Sequence, residues 1–193
     1  MKKEDFLNKL RQNTHAQYDM PAMDIKGIEY EDTLKQFIEM TKSVGGHVIT
    51  DASAGSDLNA LVCRAYPDAR VFASNLEEIT MEGLKANAGN GAAAVELRNP
   101  DTVAEANDLN GTDVAIVRGT VGVAENGCIW IPQTMKEKNV VNNMHGAYAS
   151  IEMDPRYNFG TFISGPSKTA DIEQALVIGA QAARGVTVVL VDE

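Results

Sequence analysis

From Gly46 onward, short β-branched runs alternate with stretches of helical periodicity, a pattern that admits few architectures besides a layered α/β one. His47 to Thr50, Ala69 to Ala73 and Asp113 to Val117 read as strands, and residues 56–66 and 101–108 as helices between them. Thr161 to Ser164 reads as a further strand that enters a turn, a helix starting at Thr169 and a final strand in residues 186–192. Thr169 takes the N-cap position of that helix, with Asp171 in its first turn, and Ile172, Ala175, Leu176 and Gly179 form its apolar side. Such short connections make consecutive strands parallel and lay the helices over them. The predicted fold class is α/β, a mostly parallel sheet with helices on its faces.

Two amphipathic helices precede this part. Residues 3–12 place Phe6, Leu7 and Leu10 at helical spacing, and residues 31–42 do the same with Leu34, Phe37 and Ile38. Between them residues 17–30 lack a period and contain Pro21 and Gly27, which reads as an extended connector. The chain therefore divides into residues 1–45, an N-terminal helical segment and connector, and residues 46–193, an α/β domain. A chain of 193 residues buries about two-thirds to three-quarters of its unfolded surface in a single core.

Composition narrows the function. A formal charge of −10 disfavours general binding to a phosphate backbone, so no nucleic-acid partner is expected. Cys63 and Cys128 are the two cysteines, and neither belongs to a C-x-x-C, so neither a disulfide framework nor an iron–sulfur cluster is expected in this chain. No stretch approaches the ~20 apolar residues of a membrane span, and MKKEDFLNKLRQN interrupts the apolar run that a secretory signal needs. The expected location is the cytoplasm. His15, His47 and His145 show no ligand spacing, so no metal site is expected.

Two glycine-rich segments carry the candidate chemistry. After the strand at Val114 to Val117, Gly119, Gly122 and Gly127 precede a second apolar run containing Trp130 and Ile131. A turn of that kind leaves backbone N–H groups to point at an anion; a glycine-rich hairpin is the alternative. It is not a nucleotide loop, because Cys128 and Ile129 stand where Lys and Ser or Thr are required, and no G-x-G-x-x-G occurs elsewhere. The second segment, Ser164 to Thr169, joins glycine, small hydroxyls and Lys168 at a predicted helix start, where the dipole favours negative charge. The candidate ligand residues are Gly119, Thr120, Gly122, Asn126 and Gly127 from the first segment and Ser164, Gly165, Ser167, Lys168 and Thr169 from the second. The two segments are expected at neighbouring strand ends. Glu125 is the candidate catalytic group, since desolvation in an apolar turn would suit it to acid/base or nucleophilic work; an exposed turn Glu is the alternative.

The strings GTDVAIVRGTVGVAENGCIWI and FISGPSKTADIEQALVIGAQAARGVTVVLVD resemble the lactate utilization protein C, or LUD-domain, family over residues 111–193. The resemblance implies that residues 46–193 form a LUD-type domain, similar in fold to ribose-5-phosphate isomerase, glucosamine-6-phosphate deaminase and the CoA transferases. It also implies a role in bacterial oxidation of L-lactate to pyruvate. On that basis the chain is a non-redox subunit that binds a small organic anion or phosphate and holds no cofactor itself. Iron–sulfur clusters belong to its partner proteins, and homo-oligomerisation is left open. The sequence departs from the family at Gln181-Ala182-Ala183, where His-Gly-Pro is usual, and at Thr187, which replaces a frequent His. It is also shorter than usual between Ile151 and Phe159. The alternative is a CoA-transferase-like or sugar-phosphate-binding enzyme: Ala124-Glu125-Asn126-Gly127 resembles the Ser-Glu-Asn-Gly turn that holds the nucleophilic Glu of CoA transferases. A sensor that binds ligand without turnover also fits.

Overall fold

A computed structural model describes residues 3–12, 27–53, 55–132, 139–151, 159–166, 168–170, 176–178 and 183–192. Helix α1 spans Lys3–Gln12 and α2 spans Thr33–Ser43, close to the predicted bounds. Residues 17–26 of the connector lie outside the described residues. Helix α1 buries none of its residues, and Phe6, Leu7 and Leu10 all face solvent. Helix α2 begins at Asp32, whose carboxylate accepts from the Lys35 N–H at 2.9 Å. It buries Phe37 and Thr41, so its apolar stripe joins the α/β core.

The first α/β unit runs from β1 (His47–Ser53) through α3 (Leu58–Ala65), β2 (Val71–Ala73), α4 (Met81–Asn87) and β3 (Glu96–Arg98) to β4 (Val114–Ala115). Strand β2 lies between β3 and β4, parallel to both. Asp57 and Thr80 cap the two helices by accepting from N–H groups of their first turns. Cys63, Ala69, Phe72, Ile79, Leu84 and Val95 form the core between helices and sheet. The helix expected over 101–108 is reduced to a 3-10 turn at Ala106–Leu109. Asn99 explains the loss: its side chain accepts from the Asp101 N–H and its carbonyl from the Thr102 N–H, a local turn that competes with the helix.

The second unit holds β5 (Val121–Val123), β6 (Cys128–Pro132), β7 (Asn139–Val141), α5 (Met144–Ser150) and β8 (Gly160–Ile163). Its four strands are ordered β7-β5-β6-β8, with β5 and β7 parallel and the β5–β6 and β6–β8 pairs antiparallel. The last strand, β11 (Thr187–Asp192), pairs in parallel with β1. Together these elements make an α/β fold of mostly parallel sheets flanked by helices.

The helix expected from Thr169 is overturned. Lys168–Ala170 forms β9, which pairs antiparallel with β10 (Leu176–Ile178), Thr169 opposite Val177. Thr169 is therefore not an N-cap, and Asp171, Ile172, Ala175 and Gly179 lie outside the described residues. The spacing misleads because Leu176-Val177-Ile178 is a short apolar run, which periodicity cannot assign between helix and strand, and its β-branched members favour strand.

Candidate functional site

The segment 119–127 is a hairpin rather than one continuous turn. Gly119 and Thr120 lead into β5, Gly122 lies within it, and Ala124 to Gly127 reverse the chain into β6. Many of the N–H groups expected to face an anion are already bonded. Thr120 N–H donates to Trp130 O, Ala124 N–H to Val141 O, Glu125 N–H to Asn142 O and Gly127 N–H to Val123 O, all within 3.0 Å. The Cys128 N–H donates to Asn126 Oδ1 at 3.0 Å. The hairpin alternative holds, and its physical reason is the ladder to β6 and β7.

The two glycine-rich segments nevertheless adjoin. Strands β6 and β8 pair, and beyond them the Ser164 hydroxyl donates to Asn126 O at 2.8 Å. Both segments rest on the carboxyl end of α2. Gly127 has φ +66°, and a Cβ there would lie 2.9 Å from the Thr41 backbone nitrogen; Gly165 has φ +63°, and its Cβ would lie 2.5 Å from Val44 O. Glycine is required at both positions by conformation and by the neighbouring backbone. The Lys168 ammonium donates to Val44 O, so this cation caps the helix end, where the dipole is negative.

Four candidate side chains remain at this seam with described surroundings: Glu125 and Lys168, both exposed, and Asn126 and Ser164, both half-buried. Thr120 is buried. Ser167 lies outside the described residues, as does the side chain of Thr169. Glu125 is not desolvated: it stands at the hairpin tip, where its carboxylate accepts from the Met144 N–H at 3.3 Å, the first N–H of α5. Beside the seam, burial pushes the Cys128 thiol above its ordinary value, and a bond with Ser164 pulls weakly the other way. The protonated thiol is a poor nucleophile at neutral pH.

Sequence reasoning missed an ion pair at the strand ends. Arg118 follows β4 and its guanidinium meets the Glu78 carboxylate from the turn before α4. β4 is only partly buried and ends three residues before Arg118, so the sequence signal that could have found the pair is no more than a cation shortly after an apolar run in a parallel sheet. Thr187 is elsewhere, at the amino end of β11, where its hydroxyl is 2.9 Å from the Tyr66 hydroxyl. That contact ties α3 to the β1–β11 pair. Gln181 and Ala182 lie outside the described residues.

Two concavities lie apart from the seam. One of about 410 Å³ is lined by Tyr66, Asp68, Asp113 and neighbours, and one of about 210 Å³ by Tyr30, Asp32, Lys35 and neighbours. Among the described residues no helix is long and apolar enough to cross a membrane, and no group of three or more His, Cys, Asp or Glu converges on a metal-sized site.

No curated protein and no solved structure matches the chain. A family model for the LUD domain matches residues 134–191, a span that takes in β7, α5, β8 to β10 and most of β11, and leaves the β5–β6 hairpin outside it. Over those residues the chain is similar to the LUD domain, and the Ser164 to Lys168 side of the seam belongs to the matched span.

Proposed function

We propose that this chain works in the cytoplasm in bacterial lactate utilization, as a non-redox component that holds a small organic anion such as lactate or pyruvate. Iron–sulfur partner proteins would carry the electrons. The observation that carries this reading is the LUD-domain match over residues 134–191. The seam supports it chemically: Lys168 is exposed, Ser164 bonds Asn126 O across the two segments, and Val44 takes only one of the three N–H groups of an ammonium. The carboxyl end of α2 opposes an anion there with roughly half a unit of negative charge, against the full unit on Lys168. Glu125 opposes it as well.

CoA-transferase-like catalysis at Glu125 has one observation in its favour: the carboxylate is exposed at a turn whose backbone is tied down through Glu125 N–H and Gly127 N–H. Calorimetry with lactate, pyruvate, acetyl-CoA and a sugar phosphate separates the readings. In the anion-binding reading Lys168→Ala weakens lactate or pyruvate binding by about 1 kcal/mol, one charge-assisted hydrogen bond, while Glu125→Gln keeps or gains affinity. Lactate-dependent dye reduction by the partner proteins should also rise when the chain is added. Unchanged dye reduction, together with Glu125→Gln abolishing CoA transfer while acetyl-CoA still binds, would replace the first reading by the second.

A further inference from the structure

Helix α1 differs from the other α-helices among the described residues in burying none of its side chains. Its apolar stripe, Phe6, Leu7 and Leu10, is 48%, 38% and 51% exposed. At 10 residues it is shorter than the roughly 12–15 at which an isolated helix becomes even marginally stable in water. A helix of this length is held by packing of its apolar stripe, so the stripe calls for an occupant.

The flanking charges say which. Glu4 and Arg11 are seven residues apart, about two turns, and lie on one flank of the stripe; Asp5 and Lys9, four residues apart, lie on the other. Each flank therefore carries an acid toward the amino end and a base toward the carboxyl end. When two copies of such a helix pack antiparallel, equivalent flanks meet with their directions opposed. Glu4 then comes opposite Arg11 of the second copy, Arg11 opposite its Glu4, and Asp5 beside its Lys9. Parallel packing would instead bring Glu4 to Asp5 and Arg11 to Lys9, like against like. Between the flanks Phe6 meets Leu10 of the second copy, and Leu7 lies near the two-fold axis. A lipid surface fits less well, because two of the five charges on α1 are acidic and a helix that lies on anionic lipid carries a basic polar face.

We propose that α1 is a self-association helix that pairs antiparallel with α1 of a second copy of this chain. The contact is separate from the Lys168 seam and does not depend on the lactate-utilization reading. With three apolar side chains from each copy it belongs to the small, reversible class of interface, with a dissociation constant on the order of 100 μM.

The test is sedimentation equilibrium of the full chain from about 10 μM to 1 mM, a range that brackets that constant. The parent should pass from monomer to dimer across it, and Phe6→Ser should stay monomeric. Glu4→Lys and Arg11→Glu each place like charges in two symmetry-related contacts, and each should weaken association roughly tenfold. An equimolar mixture of these two variants restores opposite charges in both contacts and should associate at least as tightly as the parent. Circular dichroism checks that every variant keeps its fold. A parent that stays monomeric at the highest concentration, a dimer that survives unchanged in Phe6→Ser, or a charge-swapped mixture that fails to recover would each overturn the proposal. Binding of a monomeric parent to phosphatidylserine vesicles, lost in Phe6→Ser, would overturn it in favour of a lipid surface.

Discussion

The β3-β2-β4 unit and the β7-β5-β6-β8 unit are built on different terms. In the first, core and caps come from one stretch of chain: Cys63 to Val95 supply the buried cluster, and Asp57 and Thr80 cap the helices that cover it. In the second, the parts are remote. Asn142 accepts from the Tyr30 N–H at 3.1 Å, Lys168 reaches Val44, and Ser164 reaches Asn126. Both units bury a core, around Val121, Val123 and Ala147 in the second, but the second is joined to distant chain by close approach of backbones as well. The difference can be tested by removing volume from one and adding it to the other.

The largest effect is expected from Phe72→Ala in the first unit. Phe72 is fully buried, and its loss should cost about 4 kcal/mol in transfer and cavity terms, read by urea denaturation. The second unit should instead fail when a single methyl is added. Gly165→Ala imposes φ +63° on an L-residue and drives its Cβ toward Val44 O, for a cost of about 3 kcal/mol by the same measurement. If Gly165→Ala proved neutral while Phe72→Ala was costly, close backbone approach would not be what joins the second unit to distant chain.

Smaller effects sharpen the contrast inside the first unit. Asp57 accepts from the Asn59 and Ala60 N–H groups at 2.9 and 3.2 Å, so Asp57→Ala should remove about 1 kcal/mol by loss of the α3 cap. Asp113 gives a pH signature. Its carboxylate accepts from the Val71 and Arg70 N–H groups at 2.9 and 2.8 Å, bonds that hold its pKa below the ordinary carboxylate value. A lowered acid contributes stability that is fully present above the unfolded-state pKa, near 4, and is lost as pH falls through the folded one. Asp113→Asn should therefore flatten part of the acid limb of thermal stability, and an unchanged limb between about pH 5 and 2 would remove Asp113 from the account.

Much of the first unit was legible. The strands at 47, 71 and 114 and the helix at 58, like α2 ahead of the unit, follow from period and capping residues that act over a few positions. The candidate site was legible in part: both glycine-rich segments were marked, and they do adjoin. Their roles were not readable, because Gly127 and Gly165 answer to α2, more than eighty residues earlier for the first and farther still for the second. Local pattern carries no term for a backbone that arrives from elsewhere.

The sequence by itself determined the fold class, the absence of Rossmann and P-loop fingerprints, and the charges at issue: Glu125, Lys168 and the −10 balance. The tertiary structure alone decided that residues 119–127 form a hairpin whose N–H groups are largely taken, that Lys168–Ala170 is a strand and that Lys168 caps α2. It also brought Arg118 to Glu78 across forty residues. The physical reason is common to all four: hydrogen-bond demand and charge pairing are settled by whichever partner lies within about 3 Å in space, and separation along the chain does not set that distance.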